Sequence, residues 1–226
     1  YINITIYDPI VSLDYNPENQ TMIRGQAMND MTPMILGIVD QWSIEPSLPS
    51  GMAFANGVIS GTPTVNMTRT LYIVWANNTG GSASHTINLT INEPIVILDY
   101  NPENLTLVRS DAMTALHPTV TGGNVETWLI SPSIPAGLSF TDGVLSGTPT
   151  VNLSTTVFTI YANTTGGSAT HTINITILEP IVTLDYNPEN MTLVRNIAMT
   201  TLYPTVTGGS VETWAIHPTI PAGLNF

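Results

Sequence analysis

The chain has no cysteine, which excludes disulfides, thiol nucleophiles and cysteine-ligated zinc together. It has no lysine either. Its four basic residues, Arg24, Arg69, Arg109 and Arg195, stand against 16 acids and leave a net charge of −12. Phosphate binding needs clustered cations that release counterions, so nucleic acid is excluded as a partner. No apolar run approaches the roughly 18 residues of a membrane span, and Tyr1 opens no charged-then-apolar leader. Histidine is scarce: His85, His117, His171 and His217 are all there is, and only His85 and His171 are equivalent in the repeat described below. Catalysis needs a nucleophile, a base and an orienting group in one place, or a metal with an open position. Two histidines 86 residues apart supply neither, and the chain is expected not to be an enzyme.

What the sequence does contain is a repeat. Asp8-Pro9-Ile10-Val11 through Asp14-Tyr15-Asn16-Pro17-Glu18-Asn19 returns from Glu93 to Asn104 and again from Glu179 to Asn190, at spacings of 85 and 86 residues. The second and third copies agree at 37 of 48 shared positions. The copies therefore run 8–92, 93–178 and 179–226. Residues 1–7 match the last strand of a preceding copy, and the third copy is incomplete. A half-copy could hardly bury a core alone, so the expectation is a window on a longer array.

Within a copy the pattern is all β. Ile87, Leu89 and Ile91 alternate with Thr86, Asn88 and Thr90, and Ile173, Ile175 and Ile177 repeat this against Thr172, Asn174 and Thr176. Phe158, Ile160 and Ala162 alternate likewise with Val157, Thr159 and Tyr161. The paired glycines of Asn163-Thr164-Thr165-Gly166-Gly167-Ser168 suit a hairpin turn, and Asn56-Gly57, mirrored by Asp142-Gly143, is a second hairpin signal. About seven short strands per copy, with Trp42, Trp128 and Trp214 as one core anchor each, fit a linear array of immunoglobulin-like β-sandwich domains. The short link through Glu93-Pro94 limits bending between neighbours.

The segment Trp128-x-Ile130-x-Pro132-x-Ile134-Pro135-x-Gly137-Leu138-x-Phe140-x-x-Gly143-Val144-Leu145-Ser146-Gly147-Thr148-Pro149-Thr150 recurs from Trp42 to Thr64 and begins again at Trp214. It resembles the immunoglobulin-like tandem repeats of large archaeal and bacterial surface proteins, which are similar in turn to cadherin-like, dystroglycan-type modules. The resemblance implies extracellular exposure at a cell surface and raises the question of calcium. It says little about function, because such modules serve as stalks, adhesins and fibre subunits alike.

Ten asparagines head an Asn-x-Ser/Thr triplet: Asn3, Asn19, Asn66, Asn77, Asn88, Asn104, Asn152, Asn163, Asn174 and Asn190. One reading is that Thr- and Asn-rich strands generate such triplets and duplication copies them. The other is N-linked glycosylation, favoured by the outward parity of Asn88 and Asn174 and by the place of Asn77 and Asn163 beside a turn. Dense sequons on a prokaryotic-looking repeat point to an archaeal surface.

The recurring acids Asp14 and Glu18, Asp99 and Glu103, and Asp185 and Glu189 lie near the linker acids Asp8, Glu93 and Glu179. They could gather calcium oxygens at a domain junction, or simply be solvated turns. Arg24, Arg109 and Arg195 could compete by pairing with them. His85 falls on the inward parity with Ile87, as a partly buried structural histidine. Outward Trp75 and Tyr161 could take a sugar or a neighbouring chain. The expected function is a structural subunit of an extracellular fibre, sheath or cell-surface array of glycosylated repeats, with copies of itself or other surface proteins as partners. The alternative is the stalk of a cell-surface adhesin.

Overall fold

The computed structural model describes residues 1–9 and 11–226; Ile10 of the first linker motif lies outside them. The chain divides into two compact units. One comprises Tyr1–Asp99, Thr119–Leu129 and Tyr161–His171, the other Tyr100–Pro118, Ile130–Ile160 and Thr172–Phe226. No described residue is helical, so no helix is long and apolar enough to cross a membrane.

In the first copy the strands are β1 (Ser12–Asp14), β2 (Asn19–Ile23), β3 (Met34–Leu36), β4 (Gln41–Glu45), β5 (Met52–Ala55), β6 (Val58–Gly61), β7 (Met67–Asn78) and β8 (Gly81–Asn92). Where the sequence suggested uniformly short strands, β7 and β8 are each 12 residues long. One sheet has the order β2-β8-β7-β4, and β1-β3 and β5-β6 form separate pairs. β7 and β8 make an antiparallel hairpin, while β2 runs parallel to β8, with Asn19 opposite Asn88 and Ile23 opposite Asn92. A bridge between Met31 and Ile59 brings the segment after β2 onto β6.

Alternation decides what is buried. Ile87, Leu89 and Ile91 of β8 and Tyr72 and Val74 of β7 point inward, where Tyr15, Met22, Met31 and Ile59 complete the core. Each such side chain contributes about 1.5–3 kcal/mol on burial. Trp42 is not the centre of this core. It is partly buried at the margin, edge-on to Phe54 with ring centroids 6.4 Å apart. The centre belongs to Tyr15, 1% exposed, whose hydroxyl donates to the Gly57 carbonyl.

Gly57 itself is fixed twice over. Its φ is +83°, and a Cβ there would stand 2.6 Å from the Trp42 indole. With Asn56 at φ 50°, both turn residues between β5 and β6 are left-handed, the geometry for which Asn-Gly is selected in two-residue hairpins.

The second copy repeats the plan. Its strands are β9 (Ile97–Tyr100), β10 (Asn104–Val108), β11 (Pro118–Thr121), β12 (Thr127–Ser131), β13 (Leu138–Thr141), β14 (Val144–Gly147), β15 (Leu153–Thr164) and β16 (Gly167–Leu178), with the sheet order β10-β16-β15-β12. β10 is parallel to β16, with Asn104 opposite Asn174, and Tyr100 donates to the Gly143 carbonyl at 2.5 Å. Beyond it, β17 (Thr183–Asp185) pairs with β18 (Thr205–Thr207). Leu184 and Trp214 there are 52% and 46% exposed. Residues 1–7 are exposed and lie in no strand.

Candidate functional site

The outer turn between β1 and β2 is placed by Tyr15. As Tyr15 goes inward, Asp14 before it and Glu18 after it are held at the surface beside β8. Asp14 accepts the Tyr15 N–H at 2.9 Å. On β8, His85 has the inward parity expected of it, but it meets the two acids. Asp14 Oδ1 lies 3.4 Å from His85 Nδ1, and Glu18 Oε1 lies 3.8 Å from Nε2. One donor atom from each of the three residues lies within 4.8 Å of the others. The His85 side chain is 15% exposed, Asp14 53% and Glu18 63%. The imidazole packs on Tyr15 at a centroid distance of 5.8 Å, and its Nε2 is shut from solvent and makes no hydrogen bond.

In the second copy Asp99 Oδ1 lies 3.9 Å from His171 Nδ1, and Glu103 holds the place of Glu18 in the repeat. Asp185 and Glu189 are exposed. Sequence reasoning weighed acids and histidine separately. The signal that could have joined them was their common register: both complete copies pair an Asp-Tyr-Asn-Pro-Glu turn with a histidine two places before the last strand's first buried isoleucine.

The linker acids are held elsewhere. Glu93, 2% exposed, receives Arg24 Nε at 2.9 Å on one carboxylate oxygen and Arg24 Nη2 at 2.7 Å on the other. The Asn124 N–H donates to it at 3.2 Å, and its own N–H donates to the Thr165 hydroxyl at 2.7 Å. The Arg24 hydrogen bonds hold the Glu93 carboxyl below its usual range against the opposing effect of burial, and raise Arg24 in return. Glu179 is lowered by hydrogen bonds from Asn152 and then Arg109, with Arg109 Nη2 at 2.5 Å. Asp8 accepts the Thr79 hydroxyl at 2.8 Å. Arg195 is exposed. The arginines thus serve the linker acids, and the acids of the outer turn face a histidine.

The linkers also explain the paired glycines. Only the second of each pair needs a positive φ, Gly81 at 151° and Gly167 at 144°. The first is needed for room: a Cβ on Gly80 would lie 1.8 Å from the Asp8 carbonyl oxygen, and one on Gly166 would lie 2.0 Å from that of Glu93. Asn78 fastens the same spot, donating to the Pro9 and Ile38 carbonyls at 2.6 and 3.0 Å.

Of the sequon asparagines, Asn3, Asn19, Asn66, Asn104, Asn152 and Asn190 are exposed, and Asn77, Asn88, Asn163 and Asn174 are half-buried. Asn88 and Asn174 point outward but donate across the parallel strands to Asn19 at 3.1 Å and Asn104 at 2.8 Å. Asn163 donates to the Thr127 hydroxyl at 3.0 Å. Trp75 and Tyr161 are half-exposed on the outward parity.

Residues 96–178 match the protein family described as "Putative Ig domain". No curated protein matches the chain. Among solved structures, the N-terminal four Ig domains of Dscam1 isoform 9.44 align at 12% identity over 78% of this chain and 47% of that one, with a TM-score of 0.49. For isoform 7.44 the values are 12%, 78%, 48% and 0.45, and for Drosophila OTK extracellular domains 3–5 they are 13%, 74%, 62% and 0.44. The chain spans about half the length of the Dscam1 structures it matches. The parallel first-to-last pairing, the all-β content and the family match together make this fold a tandem array of Ig-like β-sandwiches.

Proposed function

We propose that the chain is a structural subunit of an extracellular fibre, sheath or cell-surface array built from glycosylated Ig-like repeats, with domains 8–92, 93–178 and 179–226, and with residues 1–7 as the last strand of a preceding domain. The observation that carries this reading is the repetition of the Arg–Glu clamp, Arg24 to Glu93 and Arg109 to Glu179. Each complete copy reaches the first acid of the next linker with the equivalent arginine, on both carboxylate oxygens of Glu93 and on one of Glu179, which suits serial assembly of many equivalent units. Its partners are copies of itself or other surface proteins, and N-linked glycans cover its strands. The acidic surface suits a salt-rich exterior.

Glycosylation has a geometric corollary. Asn19 faces Asn88, and Asn104 faces Asn174, on neighbouring strands, which run about 4.8 Å apart. Two glycans cannot stand side by side there, so within each pair at most one asparagine carries a sugar on any one molecule. Electron microscopy of material from the source, with intact-glycopeptide mass spectrometry on the same sample, tests both statements. Ordered filaments with sugars on one member of each pair are expected. Dispersed single rods with bare asparagines would overturn the reading in favour of an adhesin stalk.

A further inference from the structure

We infer that the outer turn of the first repeat binds a divalent cation of the imidazole-binding class, zinc or cobalt rather than calcium, through His85 Nε2 and Glu18, with Asp14 as the positioning residue. The inference does not depend on the fibre reading. The acids alone suggested calcium, which takes six to eight oxygen ligands. The folded site sets an imidazole among them, and imidazole with carboxylate is donor chemistry for zinc and its neighbours.

Buried polar atoms in folded proteins almost always have a partner, yet His85 Nε2 is buried and makes no hydrogen bond within the protein. Glu18 Oε1, 3.8 Å away, is too distant to serve as acceptor. It is well spaced to share an ion with Nε2, because two donors each about 2.0–2.2 Å from one metal stand about 3–4 Å apart. Asp14 lies on the other ring nitrogen, 3.4 Å from Nδ1. A proton on Nδ1 then faces a carboxylate, and the Nε2 lone pair is left turned to Glu18. Metal-binding histidines are commonly oriented by a carboxylate in this manner. Tyr15 fixes the ring plane from below. Glu18 is 63% exposed, which leaves water to fill the remaining coordination positions. The same residue types recur in register at Asp99, Glu103 and His171.

The test uses the untagged, chelator-treated full chain, titrated with cobalt for its visible absorption bands and with zinc by calorimetry. Two ions per chain are expected, one lost in His85→Gln, one in His171→Gln and both in the double variant. Asp14→Asn should weaken the first site about 10- to 100-fold without abolishing it. Glu18→Gln, at an exposed position, should lose the first site with an unchanged metal-free melting temperature, which separates ligand loss from misfolding. No uptake, or uptake unaltered in the double histidine variant, would overturn the proposal. So would displacement of cobalt by calcium at equal concentration, which would mark an all-oxygen site.

Discussion

Tyr15 shows how one hydroxyl can set a chemical limit on the fold. Burial pushes its phenol from an ordinary value of 10.0 up to about 12, and burial moves Tyr100 and Tyr72 the same way. The folded state favours the neutral form, so this contribution is complete below about pH 10 and fades as the pH rises towards 12. With no lysine in the chain, no ammonium titration obscures that window. Melting temperatures of the wild type should therefore fall steeply between pH 10 and 12. Tyr15→Phe keeps the buried ring but leaves the Gly57 carbonyl without its donor, at a cost of about 1–3 kcal/mol at neutral pH. Combined with Tyr100→Phe it should flatten the alkaline fall, which pH-dependent melts of both proteins would reveal. Sequence reading missed this residue because Asp-Tyr-Asn-Pro reads as a turn, and a lone tyrosine inside a turn carries no periodic signal. The tryptophan taken as the anchor packs at the margin over Gly57 instead.

Among the elements, the strands and the β5–β6 hairpin were legible because their determinants are local. The alternation of Ile87, Leu89 and Ile91 and the left-handed preference of Asn56-Gly57 both act within a few residues. The contact of the β1–β2 turn with His85 was not legible, since it follows from parallel pairing of β2 with β8, and no local period encodes a partner so distant in the chain. The first glycine of each turn pair was credited with conformational freedom, when its real constraint is the linker backbone lying against it. That linker makes a prediction of its own. Glu93 is held ionised by Arg24, so its contribution is present above the usual carboxylate range and is lost as the pH falls through the lowered value. Limited proteolysis around residues 92–96 should speed up several-fold on acidification. Glu93→Gln should cleave at the faster rate at neutral pH and lose the acid dependence.

At the scale of the whole molecule, the repeat was the most readable feature, because duplication writes the same constraints at a fixed period. How each copy joins the next was only partly readable: the arginines and linker acids were visible as partners, but their exclusive pairing is a three-dimensional fact. The parallel neighbours β2 and β8 have a further consequence for such a string. They are the first and last strands, in chain order, of the four-stranded sheet, and their ladder is extended by Asn88 N–H to Glu18 and Arg24 N–H to Asn92, both at 2.8 Å. Tension applied at the ends draws these strands past one another in shear, so the bonds must yield together instead of unzipping singly. Single-molecule stretching should show one tall rupture peak per complete repeat, and Gln20→Pro, which removes an N–H of the parity that faces β8, should lower the peak of the first. A fold that looks like a passive bead is, along its own axis, built as a tether.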